Sequence, residues 1–380
     1  MYRKLVVISH TPHRMGRDGQ LRGWGPTVRE LDKIANVWAE VVHIGVLLRG
    51  LPEASDLPYS TQNIRFRAIP PSGGAKWFEK ISIIGTTYTI LKTIHSEIKD
   101  ASHVQVRVPM GFGLYLIPWF GLSFHRKYCL WFKYANNWIA KSVPPGYRLQ
   151  RWMLRHNWAR CKVTINGHWA GQPRHCLSFE NPCLTSTEIA DGFVEISKKS
   201  FEKPFELVFI GRLDKEKGVP ELARALQAAP DSKISRVHII GVGPLKSSLE
   251  DIQRIKTFPI LFHGWLPGGE IRSLLSSSNF LLLPSRSEGF PKVIAEAFCY
   301  GCIPVCSDVG SIPQYVDEGN GFLWKSKGLE TFGDVLQMAL DTRADKLSEL
   351  AKNGHTLASR FSYEAYLQSL QERVFKDNRC

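Results

Sequence analysis

At 380 residues, 43% hydrophobic and 22% charged, the chain is too long for one ordinary domain and has the composition of a globular protein of two. That excludes disordered, collagen-like and fibrous classes, and eight cysteines are far too few for a disulfide scaffold. The net charge of +14 is unevenly placed: residues 1–185 hold 25 Lys and Arg against 10 Asp and Glu, while the rest holds 24 against 25.

Met1-Tyr2-Arg3-Lys4 leads straight into Leu5-Val6-Val7-Ile8, an apolar run too short for a signal peptide, so the expected setting is cytoplasmic with reduced thiols. Short β-branched runs then alternate with helical patterns, the signature of parallel α/β layers. In the first half the predicted strands are Leu5–Ser9, Val41–Val46, Ile64–Ile69, Val104–Val108, Tyr128–Phe132 and Lys162–Ile165. The uncharged stretch from Val108 to Phe124 is interrupted by Pro109, Gly111, Gly113, Pro118 and Gly121, and reads as a buried helix rather than a membrane span. The segment from Asn181 to Lys203, with Pro204 beyond it, reads as the connection between domains. The pattern restarts with Glu206–Ile210, Arg236–Ile240, Ile260–His263, Phe280–Leu283 and Ile303–Cys306, and from Thr331 onward it is helical, with Ser362 as an N-cap. Two doubly wound sheets in series imply a cleft between them.

The strand Glu206–Ile210 runs into Gly211-Arg212-Leu213-Asp214-Lys215-Glu216-Lys217-Gly218 and then a helix. An arginine fork and a mobile lysine at a strand-to-helix turn make a natural diphosphate clamp. The strand Phe280–Leu283 runs into a second such turn, Pro284 to Lys292, where Pro291 suits the first helical position and the amides of Gly289, Phe290 and Lys292 would face an anion. Glu288 precedes that helix and Glu296 lies inside it, placed for hydroxyl pairs such as a ribose diol.

Gly211-Arg212 with Lys217-Gly218, Glu288 and Glu296 with seven residues between them, and Gly301, Pro304, Val305, Gly310, Ile312 and Pro313 together resemble the donor half of retaining glycosyltransferases of family 4. Gly241-Val242-Gly243-Pro244, His263-Gly264-Trp265-Leu266, Asn320-Gly321-Phe322-Leu323 and Phe361-Ser362-Tyr363-Glu364 extend the resemblance over about residues 205–375. The resemblance implies the GT-B architecture: an acceptor-binding Rossmann-like domain over 1–185, a nucleotide-sugar domain over 186–360, and a segment 361–380 that packs back toward the first. It implies that Arg212 and Lys217 bind the donor diphosphate, Glu288 contacts sugar hydroxyls and Glu296 binds ribose. The amides of Gly289 and Phe290 would face the donor, and Gly264, Trp265 and Leu266 would border the nucleobase. The donor is a UDP- or GDP-type sugar, used as co-substrate with no further cofactor and no metal, since no Asp-x-Asp pair occurs in the cleft segments.

The N-terminal half departs from the family pattern. Gly23-Trp24-Gly25-Pro26, with Gly16 and Gly19, takes the place of a glycine-rich loop, so Gly25 is a donor-side candidate. Where many members carry a histidine, this chain has Trp131-Phe132-Lys133-Tyr134-Ala135-Asn136-Asn137-Trp138. His10, Trp24, Lys133, Asn136 and Asn137 are therefore the acceptor candidates. Between Asp100 and Glu180 there is no acid and there are 11 Lys and Arg, which points to an anionic partner: a phosphorylated or lipid-linked acceptor, or an anionic membrane surface at its inner face. No nucleic-acid motif accompanies the charge. Cys299, Cys302 and Cys306 have part of an iron–sulfur spacing, but straddle a helix end and a buried strand and read as packing. The competing functions are a sugar-nucleotide epimerase on the same architecture and a non-catalytic binding subunit; a dehydrogenase is disfavoured because the full dinucleotide fingerprint is missing.

Overall fold

The computed structural model describes residues 1–73, 77–122, 128–140 and 143–376. The chain forms two compact units, one of Met1–Phe179 with Leu367–Cys380 and the other of Glu180–Tyr366.

The first unit contains β1 (Tyr2–Met15), β2 (Leu21–Trp24), β3 (Trp38–Leu47), β4 (Asp56–Pro58), β5 (Ile64–Ile69), β6 (His103–Val108), β7 (Cys129–Tyr134), β8 (Lys162–Asn166) and β9 (Cys176–Phe179). Seven of them pair in parallel in the order β5-β3-β1-β6-β7-β8-β9, and the far end of β1 carries an antiparallel flap of β2 and β4. Leu5, Val6, Val7 and Ile8 are all fully buried, as continuous apolar runs must be in a sheet covered on both faces. One face, with Val6, Ile8, Val104, Val106 and Phe132, packs on Ile90 and Ile94 of the helix Trp77–Ile98 and on Leu116 and Phe120 of the helix Gly113–Leu122. The other face carries Ser9, His43, Gln105, Arg107 and Lys133, all buried, with Arg107 and Lys133 meeting Glu30 of the helix Gly25–Ile34.

The second unit contains β10 (Phe205–Ile210), β11 (Ile234–Ile240), β12 (Ile260–Gly264), β13 (Phe280–Leu283), β14 (Ile303–Ser307) and β15 (Phe322–Trp324), all parallel, in the order β12-β11-β10-β13-β14-β15. The order reverses between β10 and β13, and the chain ends leaving those two strands form the crevice where such sheets bind ligands.

The eleven predicted strands are all present, and the α/β doubly wound class holds for both units. Three local expectations are corrected. The glycine-rich segment is not a flexible loop: Gly16 N–H donates to Gln20 O at 2.8 Å, Gly19 turns at φ 74°, and the chain returns as β2, pairing His13 with Gly23. The segment 181–203 is not an open connection but contains the helix Ser186–Lys198, started by a reciprocal capping box between Thr185 and Glu188. Pro291 takes the N-cap rather than the first helical position of the helix Lys292–Cys299. The uncharged stretch forms the helix Gly113–Leu122, and its last two residues, Ser123 and Phe124, lie outside the described residues. Among the described residues no helix is long and apolar enough to cross a membrane.

Candidate active site

Three strand ends of the second unit are drawn together by backbone contacts that only glycine permits. Gly218 ends the loop after β10 at φ 73°, and a Cβ there would stand 1.8 Å from Pro284 O in the loop after β13. Gly310, after β14, has φ 59° and would place a Cβ 1.9 Å from Glu288 O. Ser311 fixes the next peptide of that turn, its N–H and Oγ donating to Gly289 O at 2.9 and 2.8 Å. Arg286 N–H donates to Glu216 O at 2.9 Å, closing the first two loops on each other.

This scaffold brings Lys217 to Glu288: the ammonium lies 2.5 Å from Oε1, with side chains 24% and 11% exposed. Asp214 organises the preceding turn, accepting from Lys217 N–H at 2.9 Å and from the Arg212 guanidinium at 3.0 Å. Arg212 itself is 73% exposed. Phe290 is held by its ring, buried against Phe361 and Tyr315 with centroids 4.7 Å from each, while Gly289 is half-buried at the surface of the turn. Glu296 lies half-buried on the helix that follows. Its charge helps lift the buried Cys299 thiol, which burial pushes up to about 12.

Gly264 reaches the same edge through β11. Gly241 N–H donates to Gly264 O at 2.7 Å, and at φ 136° Gly241 passes so close to Gly211 that a Cβ would meet Gly211 O at 1.9 Å. The following Trp265 is 40% exposed and Leu266 is half-buried. Gly243 shapes the turn, since its Cβ position lies 2.4 Å from Leu213 O.

The candidates of the first unit divide by exposure. His10 is exposed, Trp24 is 47% exposed and Asn136 is half-buried. Gly25 is buried, its N–H donating to Ser55 O at 2.9 Å, and Asn137 is buried with its side-chain oxygen accepting from Ile139 N–H. Lys133 is buried, its ammonium 2.5 Å from Glu30 Oε1, which also accepts from Arg107 at 2.9 Å. Glu30 and Arg107 were missed in the sequence, although both were signposted. Glu30 falls on the inward stripe of its helix with Thr27, Val28, Leu31 and Ile34, and Arg107 alternates with Val106 and Val108.

Beside them lies a second polar network, also missed. His13 Nδ1–H donates to Thr11 O at 3.0 Å, His13 Nε2 and His43 Nδ1 both bond the Tyr59 hydroxyl at 2.8 and 2.5 Å, and His43 Nε2 bonds the Ser9 hydroxyl at 2.7 Å. Burial pushes His13 down to about 4, and lowers His43 well below its ordinary value. Cys299, Cys302 and Cys306 are free and buried, and among the described residues no group of three or more His, Cys, Asp or Glu could hold a metal ion.

Residues 194–356 match the family described as Glycosyl transferases group 1, as the resemblance implied. Over 129 residues the chain is 32% identical to TuaC of Bacillus subtilis, named for teichuronic acid biosynthesis, covering 34% of this chain and 31% of that protein. Over 168 residues it is 30% identical to a sulfoquinovosyl transferase of Arabidopsis thaliana, covering 43% of this chain and 31% of that one. The matches thus span about a third of the length of these curated relatives. In fold, the chain is similar to Anabaena HepE, solved with UDP and glucose, at TM-score 0.66 and 15% identity over 98% of this chain and 99% of that one. It is also similar to WaaG, a glycosyltransferase involved in lipopolysaccharide biosynthesis, at TM-score 0.62 and 14% identity over 98% and 100%. At those identities the likeness is one of fold, and that fold is the GT-B architecture.

Proposed function

We propose that the chain is a retaining glycosyltransferase of family 4 that moves a sugar from a UDP- or GDP-linked donor to an acceptor hydroxyl, in polysaccharide, glycolipid or related glycoconjugate synthesis. The observation that carries this reading is the Lys217–Glu288 pair at the reversal point between β10 and β13, inside the segment that matches the family. A cation held there, with the exposed Arg212 guanidinium on the same loop, suits the charge that develops on a departing diphosphate. The amides of Gly289 and Phe290 add fixed dipoles, Glu296 takes the ribose diol, and Gly264, Trp265 and Leu266 border the base. Glu288 is shared between Lys217 and the sugar hydroxyls.

In the reaction the bond from the anomeric carbon to the diphosphate oxygen breaks, and its electron pair leaves with the nucleotide. The acceptor oxygen bonds to the same face of that carbon, and its proton passes to the departing phosphate oxygen. No protein nucleophile and no metal ion is required in this reading. Acceptor contacts fall to His10, Trp24 and Asn136, with Lys133 and Asn137 as buried support, while Gly25 belongs to the donor side. The acceptor class is phosphate-bearing or lipid-linked, presented at the inner face of an anionic membrane to a cytoplasmic, peripheral protein. Two facts support it: the charge of residues 1–185, and the glycan syntheses for which TuaC and WaaG are named.

The deciding experiment supplies a panel of UDP- and GDP-sugars with polyprenyl-diphosphate and uncharged glycan acceptors. Nucleotide release is followed alongside the anomeric configuration of the product, with and without EDTA. Transfer with retained configuration in EDTA is expected. An inverted anomer removes the retaining mechanism, loss of activity rescued by a divalent ion removes metal independence, and isomerised donor without acceptor identifies an epimerase.

A further inference from the structure

The helix Pro145–Arg155 has an outward face that the packing of its own unit does not explain. Gln150, Met153 and Leu154 turn inward. At about 3.6 residues per turn, the opposite side carries Arg148, Trp152 and Arg155, with Leu149 on its flank. Trp152 is 44% exposed and Leu149 45%, so the largest apolar group of the helix sits farthest from the core. Trp158, also 44% exposed, meets Trp152 edge to face with ring centroids 5.3 Å apart. The Trp158 backbone abuts Gly121, where a Cβ would stand 1.8 Å from Trp158 O, and Leu122 beside it is 69% exposed. Two helices therefore contribute to one apolar patch with two arginines set into it.

The electrostatics of the patch select its occupant. It lies within the stretch from Asp100 to Glu180 that contains no acid, and neither Arg148 nor Arg155 forms an ion pair among the described residues. Indole rings with one apolar and one polar edge favour the level of lipid headgroups, and guanidinium groups beside them reach phosphate. We propose that Leu122, Leu149, Trp152 and Trp158, with Arg148 and Arg155, form a docking surface for an anionic phospholipid bilayer. The patch lies flat on the membrane rather than entering it, since no described helix can span one. This names the face behind the membrane partner of the reading above, and it rests on the first unit alone, so it stands or falls apart from the donor chemistry.

The test is flotation of the full chain with phosphatidylcholine vesicles, with and without phosphatidylglycerol, across a salt series. All four substituted side chains are exposed, so the variants Trp152→Ala/Trp158→Ala and Arg148→Gln/Arg155→Gln are expected to keep the melting temperature of the parent. Parent protein should float only with phosphatidylglycerol vesicles and be released as salt shortens the Debye length from about 8 Å. The arginine pair should weaken binding about tenfold or more, and the tryptophan pair should weaken it at every salt concentration. Equal flotation with both vesicle types, or variants that float like the parent, would overturn the proposal. UDP binding measured on the same preparations reports the donor site separately, so failure of one reading is not mistaken for failure of the other.

Discussion

Lys217 Nζ and Glu288 Oε1 lie 2.5 Å apart although 71 positions separate them in the chain. Neither residue is fixed by its own loop alone. The lysine is carried by the turn after β10, the glutamate by the turn after β13, and Gly218 and Gly310 let those turns touch. The ion pair follows from that docking. In the proposed reaction its value is positional, because the ammonium is already oriented at the reversal point.

Lys217→Ala is accordingly expected to lower turnover by about 10²–10³ with little change in melting temperature. Glu288→Gln should also lower turnover, while UDP affinity is kept or tightened because the lysine loses its internal competitor. Variants that turn over like the parent, or a Glu288→Gln protein that no longer binds UDP, would show that the pair has a different role.

Gly218→Ala tests the scaffold. A side chain at φ 73° costs about 1–2 kcal/mol, and its Cβ would also meet Pro284 O at 1.8 Å. The melting temperature should fall by several degrees, together with activity. Gly85→Ala is the control: the position is helical with no neighbour within 4 Å, and the change should stabilise by roughly 0.5–1 kcal/mol. Thermal melts of both variants check the contrast.

Glu30→Gln removes the carboxylate that Arg107 and Lys133 share in the buried layer of the first unit. Both buried cations would lose the negative charge that they share, and the expected loss of stability is about 3–5 kcal/mol. Denaturant unfolding of parent and variant measures it. A loss below about 1 kcal/mol would mean that water reaches the layer.

The histidine network predicts an acid-labile fold. His13 has a folded value of about 4 against an ordinary 6.5, so below 6.5 the unfolded chain binds the proton preferentially. Its contribution is complete above about pH 6.5 and is lost as the pH falls toward 4, by roughly 3 kcal/mol. His103, pushed down to about 4 by burial, acts in the same direction. His13→Gln should flatten the fall in stability across this window. An unchanged slope in that variant would place the acid sensitivity elsewhere.

Most of the longer parallel strands are legible because they are short, largely buried apolar runs. Val104, Val106 and Val108, or Leu281, Leu282 and Leu283, leave little alternative. The strands that escape notice, β2, β4, β9 and β15, are three or four residues long and exist through pairing rather than propensity. Pro182 and Pro204 disguise the helix Ser186–Lys198 as a linker, although Thr185 and Glu188 mark its start. At the candidate site, the residue types and their order are readable from the loops, but the meeting of Lys217 with Glu288 is not. It depends on how closely two backbones approach, which Gly218 and Gly310 permit without announcing. Lys133 shows the converse: its place on β7 could be read, but its commitment to Glu30 joins residues 103 positions apart.

The last residues of the chain have a consequence for its synthesis. Leu367 onward returns to the first unit, where Val374 is buried, Arg373 donates to Ser178 O, and the Phe375 ring packs among Tyr2, His103 and Trp131. These residues emerge from the ribosome after the whole of 180–366. The unit made first therefore cannot complete its core until the unit made second has left the exit tunnel, and the usual order of domain-by-domain folding is inverted. For as long as translation of the second unit lasts, the groove that receives Phe375 stands open on the nascent protein.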